Sequence, residues 1–124
     1  MRHYILDGGT EVLDCQTGLI WRRDFAANLT YSQALEEAEI VTRETGQAWR
    51  VPTLQELWTL VLLGGARTST ASTFPGMPAR SFWSSSPYVD DADYVWFVSF
   101  NYGDSSISLS NRYSREAVRL VRTA

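Results

Sequence analysis

Residues 49–62 read Trp-Arg-Val-Pro-Thr-Leu-Gln-Glu-Leu-Trp-Thr-Leu-Val-Leu, and this stretch decides the fold class. Trp49-Arg50-Val51-Pro52 leads into a helix entered at Thr53. Thr53 and Glu56 stand three apart as a capping box, in which a hydroxyl and a carboxylate each accept one of the backbone donors that a helix start leaves unpaired. Leu54, Leu57, Trp58, Val61 and Leu62 then make an apolar stripe at helical spacing, and Gly64 and Gly65 end it. Just upstream, Thr30 with Gln33 repeats the box, Leu35, Ala38 and Val41 recur at helical spacing, and Gly46 supplies the stop. Two helices therefore follow one another in the middle of the chain.

On either side the period drops to two. His3 to Leu6, Glu11 to Asp14 and Leu19 to Trp21 read as short strands joined by turns at Asp7-Gly8-Gly9-Thr10 and Gln16-Thr17-Gly18. Beyond the helices, residues 66–79 are rich in Thr, Ser, Gly and Pro and form a connection packed by Phe74 and Met77. Phe82 to Ser86 opens a closing sheet. Tyr94, Trp96, Val98 and Phe100 are expected on one face of the next strand, with Phe97 and Ser99 on the other. Ile107 and Leu109 should face the core while Ser106, Ser108 and Ser110 face out, and Ala117 to Arg122 is the last strand. Strands, two helices, then strands again give an α+β domain, two helices packed on a mostly antiparallel β-sheet, spanning residues 1–124 as one unit.

With 124 residues, 44% hydrophobic and 13% aromatic, the chain encloses a core without staples. Its net charge of -3 argues against a nucleic-acid partner. No apolar run makes a signal peptide or a membrane span. A complete gene product of this kind would be cytoplasmic or exported by another route, so the compartment stays open. One His and one Cys, at positions 3 and 15, have no evident partner, no Gly-x-Ser-x-Gly elbow is present, and catalysis is not expected.

Gln16 to Trp21, Trp49 to Thr53 with Glu56-Leu57, Phe82 to Ser85, and Val118 to Arg122 occur in one order that resembles the Lcl C-terminal domain family, named after the C-terminal domain of a bacterial collagen-like adhesin. The likeness runs from about Gly8 to Arg122. It implies a C-type-lectin-like scaffold, related to the formylglycine-generating-enzyme group, used for binding and often attached to surface or secreted proteins. Relatives often carry a cysteine pair where this chain has Ala38 and Leu120, so apolar packing is expected to replace the staple. That change suits a reducing compartment as well as an extracellular one. The paired cysteines of formylglycine-generating chemistry are absent.

Trp21, Trp49, Trp83 and Trp96 are expected in the core. Arg50, Arg119 and Arg122 are expected to pair with carboxylates such as Glu56 or to cap chain ends. The candidate ligand-binding set is Ser86, Tyr88, Tyr102, Asp104, Ser106, Ser108, Asn111, Arg112 and Tyr113, on the outer face and loops of the closing sheet. Tyr gives rigid amphipathic contact area, and Ser and Asn give adaptable hydrogen bonds, the chemistry of antibody loops. The ligand would be a glycan or a protein. Asp90, Asp91 and Asp93 with Asn101 and Asp104 form the one oxygen-rich set that could hold calcium. A sulfated polysaccharide would need a denser basic surface than the dispersed Arg112, Arg115 and Arg119. The alternative is an assembly domain that forms a homo-oligomer, burying Tyr88, Phe97 and Tyr102, with no small ligand.

Overall fold

The computed structural model describes residues 3–6, 9–62, 80–100 and 106–124, with backbone alone for 3–6, 61 and 62. The element order is β1 (His3–Leu6), β2 (Glu11–Asp14), β3 (Leu19–Arg22), β4 (Ala26–Leu29), α1 (Tyr31–Thr45), α2 (Leu54–Leu62), β5 (Ser81–Pro87), β6 (Tyr94–Ser99), β7 (Ser106–Asn111), β8 (Glu116–Val118) and β9 (Val121–Thr123). The fold is α+β, with two sheets rather than one: β1-β2-β3-β9 and β4-β8-β5-β6-β7. All strand pairs are antiparallel except β5 with β8.

The β2–β3 turn is built around the buried Asp14 carboxylate, which accepts from the Gln16 N–H at 3.0 Å and the Thr17 hydroxyl at 2.9 Å. Gly18 takes φ +74°, the left-handed conformation the turn requires. The register then sets Val12 opposite Trp21 and Trp21 opposite Val121, all three fully buried.

Both capping boxes form. At α1 the Thr30 N–H donates to Gln33 Oε1 at 2.9 Å and the Gln33 N–H to Thr30 Oγ1 at 3.3 Å. Gly46 closes the helix at φ +73°, its N–H on the Thr42 carbonyl at 2.9 Å. The buried row is Ala34, Ala38 and Val41, so the expected Leu35 is replaced by Ala34 and is itself 39% exposed. Small side chains at successive turns let the helix lie close to the sheet, and Leu35 sits about 100° round from that row. At α2, Leu57 and Leu60 are buried while Leu54 and Trp58 pack partly against the same core. The side chains of Val61 and Leu62, together with Gly64, Gly65, Phe74 and Met77, lie outside the described residues.

The alternation expected in the closing sheet is corrected at both ends. Val98 and Phe100 do pack with Phe82 against α2, but Tyr94 is 38% exposed and Trp96 only half-buried. Val95, on the opposite face, is buried with Trp83 and Val118. In β7 Ser106 and Ser108 are exposed as expected and Leu109 is half-buried, but Ile107 is 40% exposed and Ser110 is buried, its hydroxyl donating to Glu116 Oε2 at 3.0 Å. The sheet carries apolar cores on both faces, so no face is wholly polar, and β7 runs at the edge beyond the helix cover.

The last strand also divides. β8 joins the second sheet and β9 the first, with Arg119 and Leu120 at the crossing. Arg119 is fully buried and donates from Nη1 to the carbonyls of Arg22, at 3.0 Å, and Arg23. Ala38 and Leu120 both belong to the core cluster around Trp49 and Trp83.

Candidate functional site

At one end of the second sheet the β5–β6 and β7–β8 turns meet. The Tyr88 N–H donates to the Tyr94 carbonyl at 3.0 Å, the Arg112 N–H to the Asp93 carbonyl at 2.8 Å, and the Tyr31 N–H to the Arg112 carbonyl at 3.0 Å. Asn111 stands opposite Tyr94 in register, and its Oδ1 accepts from the Tyr113 N–H at 2.9 Å. Backbone bonds therefore hold four tyrosines, an arginine and an asparagine in fixed positions. The Tyr88 ring meets Trp96 edge to face at 5.7 Å, and the Arg112 guanidinium lies 5.7 Å over the Tyr31 ring. Burial pushes the Tyr31 hydroxyl above its ordinary pKa, against the smaller opposing pull of Arg112, so it is a neutral donor at physiological pH. Tyr113 is 71% exposed.

The structure brings Tyr88, Asn111, Arg112 and Tyr113 to one end of the second sheet and adds Tyr31 and Tyr94, with the Tyr31 ring against Trp83 on one face and the Tyr88 ring against Trp96 on the other. Tyr31 could not be anticipated because it opens α1, some eighty residues away in sequence. Ser86 is engaged elsewhere, its Oγ accepting the Leu54 N–H at 3.1 Å and so helping to cap α2. Ser106 and Ser108 are exposed, and Ser108 pairs with Phe97. By strand alternation this sets them on the face opposite Trp96 and its Tyr88 neighbour. Tyr102, Asp104 and Asn101 lie outside the described residues.

Asp90, Asp91 and Asp93 are exposed in the β5–β6 turn, where Asp91 Oδ1 is engaged by the Asp93 N–H at 3.0 Å. Among the described residues no group of three or more His, Cys, Asp or Glu side chains is placed to hold a metal ion. Cys15 is exposed and free. No helix among the described residues is long and apolar enough to cross a membrane.

A second feature had no sequence signal. Between α1 and the Trp49–Val51 segment lies an open groove of about 510 Å³, within the size range of ligand pockets. Ala38, Trp49 and Val51 floor it, Leu35 forms a wall, and Arg43 and Arg50 stand at its lip. The Arg22 and Arg122 guanidiniums both lie over the Trp49 ring, at 5.5 and 5.2 Å. Arg122 is fixed in turn by Glu11 at 2.8 Å, and Arg50 by both Glu56 oxygens at 2.5 and 2.8 Å. Trp49, only 4% exposed, serves the core as expected.

No protein of curated function matches this chain. The sequence model of the Lcl C-terminal domain matches residues 10–122, a span that takes in both helices and the strands from β2 onward. This is not a known enzyme family, and it fits a binding or adhesin-like domain. On a match that covers nearly the whole chain, the protein belongs to the Lcl C-terminal domain family.

Proposed function

We propose that this domain is a non-catalytic recognition module on a C-type-lectin-like scaffold, binding a glycan or protein through the tyrosine-rich end of its second sheet. One observation carries the reading: hydrogen bonds bring Tyr31, Tyr88, Tyr94, Asn111, Arg112 and Tyr113 to one end of the second sheet, Tyr31 with Arg112 on its Trp83 face and Tyr88 on its Trp96 face. Rigid aromatic area loses little conformational entropy on binding, and the arginine and amide supply direction. Asp90, Asp91 and Asp93 border this end ahead of β6, while Asn101 and Asp104 come after β6 in the chain, so a calcium ion here would rest on the three aspartates.

The test is a glycan and protein array probed with the purified domain, with and without calcium. It is run beside the double variant Tyr88→Ala, Tyr113→Ala and the single variant Tyr94→Ala. Binding by the wild type that is lost in folded variants supports the reading. Binding unchanged in both variants removes this end of the sheet as the site.

A further inference from the structure

The β5–β6 turn displays a side chain that the fold does not use. Val89 is 95% exposed, more than any other large apolar residue described, and exposed Asp90, Asp91 and Asp93 follow it. The display is rigid, since Tyr88 and Tyr94 pair across the turn and the Tyr94 N–H bonds the Asp91 carbonyl at 3.1 Å. The groove beside α1 offers the reverse: an apolar floor, with Arg43 and Arg50 against Glu39 at its lip. Among the described residues Arg43 has no ion-pair partner.

We propose that these are two halves of one interface. The Val89 tip of one copy seats in the groove of a second copy, and the aspartates after it face Arg43. Ser85 lines the groove and lies four residues before Val89, a span of at most about 13 Å in extended chain. Each copy thus presents tip and groove side by side, and a twofold arrangement makes both exchanges at once. This self-association goes beyond the ligand reading and does not depend on it.

Sedimentation velocity over a concentration series tests it. The wild type should pass from monomer to dimer, and high salt should weaken the dimer. Val89→Asp and Arg43→Glu, both at exposed positions, should each raise the dimer dissociation constant about tenfold or more. Arg43→Glu combined with Asp90→Arg and Asp91→Arg in one chain should restore association. Val89→Asp mixed with Leu35→Glu should form a heterodimer although each alone stays monomeric, because one keeps the groove and the other the tip. A wild type that stays monomeric throughout, or a dimer indifferent to Val89→Asp and Arg43→Glu, overturns the proposal. Either result leaves the array outcome for Tyr94 and Tyr113 to be read on its own.

Discussion

Glu56 accepts two hydrogen bonds from Arg50 and one from the Thr53 N–H, whereas Glu116 accepts one, from Ser110. Burial pushes both carboxyls up. At Glu56 the Arg50 and Thr53 hydrogen bonds and the Arg50 charge outweigh it, so the pKa lies below its ordinary value; at Glu116 burial prevails and the pKa is raised. The two therefore answer pH with opposite sign. The stability Glu56 contributes is present above its unfolded pKa and is lost as pH falls through the lower folded value. Chemical denaturation as a function of pH should show that loss, and Glu56→Gln should remove it while costing about 1–3 kcal/mol at neutral pH. Glu116 contributes stability below the ordinary carboxylate value, and loses it as pH rises through the raised folded value. Glu116→Gln should flatten that decline without destabilising the protein at pH 7. Arg119, unlike these two half-buried carboxyls, is fully buried. Burial lowers its pKa to about 10, against the weaker pull of Asp24, so it stays protonated at neutral pH. Arg119→Ala strips the donors from the Arg22 and Arg23 carbonyls and leaves a cavity at the crossing, which should cost about 3–5 kcal/mol in urea unfolding. The Arg50–Glu56 pair and the chain-capping role of Arg119 were both legible, because the motifs that contain them leave these charges few other partners.

Helix ends are local chemistry, and the sequence reads them well. Thr30, Gln33, Thr53 and Glu56 act within three residues of their targets, and Gly46 needs only its own φ. Thr30→Ala should lower stability by about 1 kcal/mol, and Gly46→Ala by a similar amount, about 1 kcal/mol, since φ +73° strains any residue with a Cβ. Thermal melts check both. Strands were less legible because their partners are remote. β4 has no alternation of its own and forms because β8 pairs with it around a positive-φ Asn28. The Ala117–Arg122 run looks continuous, yet divides because its two ends satisfy different sheets. Tyr94 and Trp96 in β6 and Ile107 and Ser110 in β7 depart from expectation for a related reason: period two tells which residues alternate, but not which stretches of a face are covered.

In the whole molecule, Ala38 and Leu120 bring α1 and the sheet crossing into one core, at the two positions where the family resemblance implies a cysteine pair. Ala38→Cys with Leu120→Cys, in a Cys15→Ser background, should form an internal disulfide under oxidising conditions. Closing a loop of about 80 residues, it should add about 4 kcal/mol that reductant abolishes. The tyrosine-rich site was legible in composition but not in membership. Tyr88, Asn111, Arg112 and Tyr113 stand out by residue type, while Tyr31 and the Trp49 groove exist only once α1 is laid against β5 and β8. The division of the final run also has a consequence in time. Trp21 of β3 pairs with Val121, one hundred positions later, and Arg119 reaches back to Arg22 and Arg23. On a ribosome adding about 5–20 residues per second, the β3 edge of the nascent first sheet stays unpaired for roughly 5–20 s. The Arg22-Arg23-Asp24 run at the end of β3 then serves as a charged guard against intermolecular strand pairing until β9 emerges.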